Sequence, residues 1–329
     1  MRIGVVGVTG LVGRTFLQSL PFFGLDKAEV YGAASARSVG MKLPFREGEL
    51  SVEPIEALLH RELDVVFFSA GASISEIWAP RFVDRGALVI DNSSAWRMHP
   101  DVPLIVPEVN IQAIRGHRLI ANPNCSTIQL VVVLEPLRKA FGLERIIVST
   151  YQAVTGTGQK AVAQLQAERE GKTTASSVYP HPVDLNCIPQ CDVFMEEGYT
   201  KEEWKIIRET RKILGMPDLA ITATAVRVPV LGGHSESVNI TLERSASVEE
   251  VRAVLSEAPG VILQDEPERS FYPMPRYVGG QHEVFVGRIR RDTSHPRGIN
   301  LWIVADNLRK GAATNALQIA QHALALARA

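Results

Sequence analysis

The sequence predicts an α/β protein of two domains, a doubly wound N-terminal domain followed by an α+β C-terminal domain. Short apolar runs alternate with helix-like segments in the first part of the chain, and longer strand-like segments lie beside helices in the second. The last segment is a strong helix former. We place the first domain at 1–124, completed by a returning helix within 306–329, and the second at 125–305.

Four continuous apolar runs in the first domain predict buried strands. They are "RIGVV" (2–6), "AEVYGAAS" (28–35), "LDVVFFSAG" (63–71) and "GALVIDNSS" (86–94). The segment "SISEIWAPRFVDR" separates the last two runs and predicts a crossover helix. Continuous apolar strands that alternate with helices indicate a parallel sheet covered on both faces.

The first strand is followed by a glycine-rich turn. Gly7, Gly10 and Gly13 stand between the predicted strand and the predicted helix. Glycine at these positions lets backbone N–H groups approach a pyrophosphate at a helix N-terminus. The spacing differs from the commoner G-x-G-x-x-G, but its place in the first βα turn favours a Rossmann-type dinucleotide site over a purely structural turn.

The end of the second strand indicates which dinucleotide would bind. A site for NAD usually has Asp or Glu there, to bind the ribose 2′-hydroxyl. This chain has "SARS" instead, with Ser35, Arg37 and Ser38. A guanidinium and hydroxyls suit a 2′-phosphate, so the sequence favours NADP; the alternative is a solvated surface loop.

The second domain combines strand-like and helix-like segments. Strands are predicted within "LERIIVSTYQAVTG", "AITATAVRVPVL", "SESVNITLER", "HEVFVGRIRRD" and "INLWIVADNL", and helices within "QKAVAQLQAEREG" and "TKEEWKIIRETRKIL". This mixture predicts a mixed or antiparallel sheet with helices beside it. The final segment, "RKGAATNALQIAQHALALARA", is expected to pack back against the first domain.

Composition excludes several classes of protein. The formal net charge is −1, which argues against a large nonspecific nucleic-acid surface. Three cysteines argue against a disulfide framework and fit a reducing cytosol. The chain has no apparent signal peptide, and its apolar runs are far shorter than the ~20 residues of a membrane span. We therefore expect a cytoplasmic protein without a membrane or nucleic-acid partner.

The stretch "NPNCST" places one cysteine at the start of a predicted helix. Pro123 disfavours helix before it, Asn124 is a good N-cap residue, and an apolar run begins at Ile128. Cys125 would then lie in the first turn, where the helix dipole favours a nucleophilic thiolate. The alternative is a small buried hydrophobe. Pro136 is expected to end or kink the helix.

A nucleophilic thiolate needs an acid/base partner and groups that hold its substrate. His234 follows "RVPVLGG" and precedes another strand, at the kind of connection where catalytic side chains are often presented. Arg227, earlier on the same segment, could bind a carboxylate through two hydrogen bonds. Cys187 and Cys191 lack the second ligand pair of a zinc site and are interpreted as buried or incidental thiols; no metal is expected.

Eleven segments together resemble the aspartate-β-semialdehyde dehydrogenase family over essentially the whole chain. They are "GVTGLVG", "SARS", "FFSAG", "IDNSSAWRM", "VPEVN", "NPNCSTIQ", "STYQAVTGTG", "EEWK", "ETRKIL", "RVPVLGGHSE" and "ADNLRKGAATN". The "NCSTIQ" form resembles the branch typified by Gram-positive bacterial members. "DLNCIPQCD" departs from the family, which usually has aliphatic residues in place of these cysteines.

The resemblance implies a role for each matching position. The catalytic residues would be Cys125 as acyl-thioester nucleophile, His234 as acid/base catalyst and Gln152 beside the thiol. The substrate would be held by Arg97, Asn124, Gln152, Glu202, Lys205 and Arg227. Within this set, Arg227 would bind the α-carboxylate, Glu202 the α-ammonium, and the remaining cations and Asn124 the phosphoryl group or phosphate. The NADP site would contain Gly7, Thr9, Gly10, Leu11, Val12, Gly13, Ser35, Arg37, Ser38, Thr155, Gly156 and Asn315.

The family reaction is the reversible, NADP-dependent reduction of L-aspartyl-4-phosphate to L-aspartate 4-semialdehyde and phosphate. It serves the biosynthesis of lysine, through diaminopimelate, and of methionine, threonine and isoleucine. The resemblance also implies a homodimer or a dimer of dimers. Three alternatives stay open: an N-acetyl-γ-glutamyl-phosphate reductase, a Cys–His hydrolase or acyltransferase without cofactor, and a nucleotide-sensing module.

Overall fold

A computed structural model describes residues 1–172 and 177–326. The chain divides into two compact units. The first consists of Met1–Asn124 together with the chain from Ala312 onwards, and the second of Cys125–Gly311. The end of the expected C-terminal segment, 327–329, and positions 173–176 lie outside the described residues. Within the described ranges, no helix has both the length and the apolarity needed to cross a bilayer.

The first unit is built on a seven-stranded sheet in the order β3-β4-β2-β1-β5-β6-β7. Its strands are β1 (Arg2–Val6), β2 (Glu29–Ala33), β3 (Lys42–Phe45), β4 (Gly48–Glu53), β5 (Val65–Phe68), β6 (Leu88–Asp91) and β7 (Leu119–Ala121). The pairs β1–β2, β1–β5, β5–β6, β6–β7 and β2–β4 are parallel, as the apolar runs predict.

Helices cover both faces of this sheet. They are α1 (Leu11–Ser19), α2 (Ile55–Leu59), α3 (Ala72–Asp84), α4 (Pro107–Asn110) and α10 (Thr314–Leu326). Phe82 of α3 packs in the apolar cluster on one face, and Leu317 of α10 packs in the cluster on the other. The doubly wound domain is therefore confirmed, with the last helix packed inside the first unit as expected.

One edge of the sheet differs from the prediction. β3 and β4 form an antiparallel hairpin in which Phe45 pairs with Gly48. The two turn residues are Arg46, which has a φ of 55°, and Glu47. This is not the Asn-Gly or Asp-Gly pair that marks a two-residue hairpin, so the sequence carried no clear turn signal.

The second unit contains a six-stranded mixed sheet in the order β11-β12-β13-β10-β8-β9. Its strands are β8 (Leu143–Gln152), β9 (Ala220–Arg227), β10 (His234–Leu242), β11 (Val261–Leu263), β12 (Val284–Arg291) and β13 (Gly298–Ala305). The pairs β8–β9 and β11–β12 are parallel, and the other pairs are antiparallel. The five predicted strand segments are confirmed, and β11 is additional.

The helices of the second unit are α5 (Cys125–Phe141), α6 (Gln159–Arg169), α7 (Lys201–Leu214), α8 (Val248–Ser256) and α9 (Pro275–Val278). The expectation that Pro136 ends or kinks α5 is wrong as to its end, because the helix continues to Phe141. Proline inside a helix costs about 3 kcal/mol. Twelve residues of this helix are buried, and their packing outweighs that cost.

Candidate active site

Three polar side chains lie side by side where strands of the second unit begin or end. Arg227, the last residue of β9, pairs with Gln152, the last residue of β8. Tyr151 pairs with Ser235 across the next strand, so Gln152 lies alongside His234 at the start of β10. Residues in register project to the same face of a sheet. The sheet thus gathers an arginine, an amide and an imidazole that the sequence keeps far apart.

Cys125 is the first residue of α5, as predicted from "NPNCST". The next residue, Ser126, accepts a hydrogen bond at Oγ from Nε2 of Gln152 over 3.1 Å, which connects the helix start to the row of strand residues. The first turn of α5 contains no acidic side chain, so its N-terminal dipole is not opposed there. A thiolate at this position is electrostatically favoured.

Gly311 lies against the thiol-bearing residue. A Cβ atom at position 311 would be 2.9 Å from Cβ of Cys125 and 3.4 Å from its Cα. Atoms so close to the backbone cannot move away as the end of a flexible side chain can. The close approach therefore requires glycine.

The ring of His234 is fully buried and held in one tautomer. Its Nδ1 accepts a hydrogen bond from the backbone N–H of Ala153 over 3.0 Å, so the proton of the neutral ring is assigned to Nε2. Nε2 has no hydrogen-bond partner in the described part of the chain. Burial, followed by the charge of Arg227, lowers the pKa of His234 to about 3. At neutral pH the ring is therefore uncharged and presents an Nε2–H.

Arg227 faces the same space with part of its guanidinium available. Its Nη1 donates to the carbonyl of Ala153 over 2.6 Å, whereas Nε has no partner among the described residues. A Cβ at Gly156 would lie 3.1 Å from Nε2 of His234 and 3.2 Å from Nη1 of Arg227. The Gly156 backbone thus approaches both functional groups closely.

A partly buried acid–base cluster at the start of α7 completes the second unit's site. Oε1 of Glu202 accepts from Gln152 over 3.2 Å, and Oε2 accepts from Lys205 over 3.1 Å. Lys205 also donates to Asp192 over 2.8 Å. Burial alone would lower the pKa of Lys205, but Glu202 and Asp192 more than offset it, so the pKa is raised. The ammonium therefore stays charged.

The other two cysteines differ from each other. Cys187 is exposed, and Cys191 is buried. Burial raises the pKa of Cys191 to about 12, although the charge of Arg227 opposes this. Cys191 is therefore a neutral thiol at neutral pH, and its surroundings do not activate it as a nucleophile.

The first unit contains a pocket of about 820 Å³ at the carboxyl ends of its parallel strands. Its lining includes four of the predicted cofactor residues, Gly7, Thr9, Gly10 and Ser35. Gly10 is the N-cap residue of α1 and supplies no side-chain cap, and the first turn has no acid. The helix N-terminus can therefore receive an anion.

The remaining predicted residues around this pocket have different places. A Cβ on Gly13 would collide with the carbonyl oxygen of Gly7, so Gly13 serves close packing of helix on strand. Leu11 and Val12 are half-buried in the first turn of α1. Arg37 is exposed beside the lining residues Ser35 and Ala36, and it makes no hydrogen bond or ion pair with a residue that the structure describes. Ser38 is half-buried in the same short turn.

Pocket size, the uncapped helix end and an available guanidinium fit a dinucleotide with a 2′-phosphate.

The predicted residue Asn315 instead lies in a buried network of the first unit, where its amide donates to Ile105 O and Asn122 Oδ1. Thr155, in the second unit, accepts from Asn307 Nδ2 over 3.1 Å. The cofactor roles of these two side chains stay predictions.

Arg97 and Asn124 are also buried, in the first unit. Arg97 donates from Nε to the carbonyl of Asn122 over 3.0 Å and from Nη2 to that of Asn92 over 2.7 Å. Two backbone carbonyls thus fix the direction of the guanidinium. Asn124 directly precedes Cys125 in the chain.

Comparison with known proteins agrees with both units. Residues 2–117 match the family model "Semialdehyde dehydrogenase, NAD binding domain", and residues 134–310 match "Semialdehyde dehydrogenase, dimerisation domain". An aspartate-semialdehyde dehydrogenase of Aquifex aeolicus is 49% identical, over 97% of each chain. The chain belongs to the aspartate-semialdehyde dehydrogenase family.

Solved structures of this family have the same fold. Aspartate semialdehyde dehydrogenase II from Vibrio cholerae, complexed with ASA, is 40% identical over 98% of each chain with a TM-score of 0.92. The Candida albicans aspartate semialdehyde dehydrogenase, solved with NADP, is 27% identical over 98% of each chain with a TM-score of 0.77.

Beyond the residues that the aspartate-semialdehyde dehydrogenase resemblance marks, the structure adds several. Asp192 pairs with Lys205, and nothing local in the sequence indicated it. Glu203 accepts from the backbone N–H of Ala225 and forms a capping box with Thr200, which the "TKEE" pattern could have revealed. Gly311 carries no recognisable signal, because a packing requirement depends on the partner atoms.

Proposed function

We propose that Cys125 is the nucleophile through which this member of the aspartate-semialdehyde dehydrogenase family converts L-aspartyl-4-phosphate to L-aspartate 4-semialdehyde and phosphate. The observation that carries the proposal is the position of Cys125 at the start of α5, beside a row of Arg227, Gln152 and His234. The thiolate sulfur bonds to the acyl carbon, the bond from that carbon to the phosphate oxygen breaks, and phosphate leaves. A thioester remains on Cys125.

NADPH, when bound, supplies the hydride that reduces the thioester. His234 acts from Nε2–H, which donates a hydrogen bond to the oxyanion at the acyl carbon. A neutral ring suits this role, because the lowered pKa makes a second proton on the ring costly. The carbon–sulfur bond then breaks and the aldehyde and the Cys125 thiolate separate.

Arg227 and Glu202 are proposed to hold the amino-acid end of the substrate. Nε of Arg227 has no partner in the described chain and would donate to the α-carboxylate. Glu202 is buried and would accept from the α-ammonium. An N-acetylated substrate has no cation for Glu202, which disfavours an N-acetyl-γ-glutamyl-phosphate reductase. Lys205, Arg97 and Asn124 are proposed to bind the phosphoryl group.

NADP is proposed to bind in the pocket of the first unit, with Gly7, Thr9 and Gly10 at the pyrophosphate and Arg37 at the 2′-phosphate. We further propose a cytoplasmic homodimer, or a dimer of dimers, without nucleic-acid or membrane partners. The match to a dimerisation-domain model supports self-association. Sedimentation of the full chain at several concentrations tests this, and a monomer throughout would contradict it.

The function is tested by an assay of NADP reduction with a panel of aldehydes. Aspartate semialdehyde with phosphate is expected to give reduced nicotinamide, and omission of phosphate should stop the reaction because the thioester then lacks its acceptor. Turnover of only N-acetylglutamate semialdehyde would assign the chain to the rival reaction. Aldehyde-independent hydrolysis of esters would support a hydrolase.

Arg37→Glu is expected to reverse or erase the preference for NADP. A charge-assisted hydrogen bond is worth about 1.5–3 kcal/mol. The ratio of kcat/KM for NADP over NAD should thus fall at least about tenfold. Arg85→Glu makes the same charge change at an exposed position just after α3 and should leave the ratio unchanged. An unchanged ratio in Arg37→Glu would mean that "SARS" is only a solvated loop.

Arg227→Lys is expected to raise KM for aspartate semialdehyde by about ten- to a hundredfold, although the charge is kept. A lysine cannot reproduce the fork of donors that binds a carboxylate. Arg290→Lys is the matched control, because Arg290 is exposed on β12 and three strands of the sheet separate β12 from β9. An unchanged KM in Arg227→Lys would place the carboxylate elsewhere.

A further inference from the structure

Glu236 is a buried carboxyl group that the reaction described above does not use. It lies in the interior of β10, two residues after His234, and has no exposed surface. Residues two apart on a strand project to the same face, so the Glu236 side chain shares the face of the His234 ring. Its carboxyl oxygens accept no hydrogen bond from the described part of the chain.

Among the residues that the structure describes, no positive group acts on the pKa of Glu236. The residues opposite it on the flanking strands are Thr150 and Ile303, which do not titrate. The titratable side chain nearest along its face of β10 is His234, which is neutral. Burial raises the pKa of Glu236 well above its ordinary value. The nearby Gln129 amide from α5 makes no hydrogen bond of good geometry to the carboxyl group, and its N–H, which would favour the charged form, offsets the rise only in part. An unpaired buried charge is costly, so the carboxyl keeps its proton.

Gln129 supplies the matching acceptor. It is fully buried on α5, one helical turn after Cys125, and its Nε2 donates to the backbone carbonyl of His234 over 3.4 Å. Its Oε1 receives no hydrogen bond from the described residues. A carboxylate and an amide oxygen both only accept, whereas a protonated carboxyl can donate to the amide. A proton on the Glu236 carboxyl group would therefore give a hydrogen-bond partner both to that group and to Oε1 of Gln129.

We propose that Glu236 is a positioning residue: as an uncharged carboxylic acid, it donates its O–H to Oε1 of Gln129 and fixes the amide that ties α5 to β10. Cys125 begins the helix and His234 begins the strand that this amide joins. The Glu236–Gln129 pair thus sets the separation of thiol and imidazole from behind the site, without touching substrate.

The kinetic test compares Glu236→Leu with Glu236→Gln. Leu fills the space but breaks the bond to Gln129, and it should lower kcat by about tenfold or more with KM for aspartate semialdehyde within about twofold. Gln is neutral and can donate to the same oxygen, so kcat should stay within about threefold of wild type. Gln129→Leu should match Glu236→Leu, and the double variant should be no worse than either single variant.

A melting series tests the charge state without turnover. A carboxyl whose pKa is raised by folding stabilises the protein fully below the unfolded pKa of about 4.3 and loses that contribution as pH rises toward the folded pKa. The Tm of Glu236→Gln minus that of wild type should therefore increase with pH over this window. A difference that decreases with pH would show a stabilised carboxylate and overturn the proposal.

Infrared spectroscopy reads the proton directly. The difference spectrum of wild type minus Glu236→Gln should contain the C=O band of a protonated carboxyl at neutral pH; carboxylate bands instead would refute the proposal.

Equal loss of kcat in Glu236→Gln and Glu236→Leu, or no loss in Glu236→Leu, would refute the positioning role. The kinetic readout rests on the function proposed above, whereas the melting and infrared readouts do not. If Glu236→Leu does not fold, the melting and infrared comparisons of Glu236→Gln with wild type still decide whether Glu236 is protonated.

Discussion

Cys125→Ser is expected to abolish turnover in both directions while the fold and NADP binding persist. A serine hydroxyl ionises far less readily than a thiol, and the dipole at the start of α5 cannot make up the difference. Turnover is measured as phosphate-dependent formation of reduced nicotinamide, NADP binding by titration, and folding by thermal melting.

Cys187→Ser is the matched control for that replacement. It makes the same change of sulfur to oxygen at an exposed position, and it should keep wild-type turnover. If Cys125→Ser retained most of its activity, no thioester on Cys125 could lie on the reaction path.

His234→Ala is expected to lower kcat by about 10²–10⁴-fold, the range typical when a proton-transfer group or an oxyanion donor is removed. Release of phosphate in the first turnover should suffer less than oxidation of NADPH, because phosphate leaves without help from Nε2–H. Rapid mixing separates the two steps. His181→Ala, an exposed histidine of the same unit, should behave as wild type.

The low pKa of His234 adds a prediction for the pH profile. Burial lowers the pKa to about 3, so the free enzyme's ring is neutral throughout the ordinary working range. The profile of kcat/KM should show no limb from His234 between about pH 5 and 8.

Loss of the phosphate burst in His234→Ala with unaffected NADPH oxidation would mean that His234 serves the first step.

Local patterns in the sequence predicted the elements that depend on nearby residues. The glycine turn before α1 and the start of α5 at Cys125 both follow from backbone preferences within a few residues. The first-unit strands follow from continuous apolar runs, because a parallel sheet is buried on both faces. The last helix was expected in the first domain because its apolar spacing requires a surface to cover.

Other features depend on pairing that no local pattern encodes. The row of Arg227, Gln152 and His234 arises from the register of three strands, and a shift of one residue would send each side chain to the opposite face. The contact of Asp192 with Lys205 likewise depends on tertiary placement. The expectation that Pro136 ends α5 failed because helix propensity is a weak guide where packing is extensive.

The close approach of Gly311 to Cys125 limits the substitutions that can accumulate at position 311. Every single-base change that alters the amino acid at a glycine codon introduces a side chain or a stop codon. Because a Cβ at position 311 would lie 2.9 Å from that of Cys125, each such change presses on the residue that carries the reactive sulfur. No amino-acid substitution that a single base change can produce at position 311 is therefore expected to be tolerated. We expect selection to remove variants at this codon as strictly as at the cysteine codon.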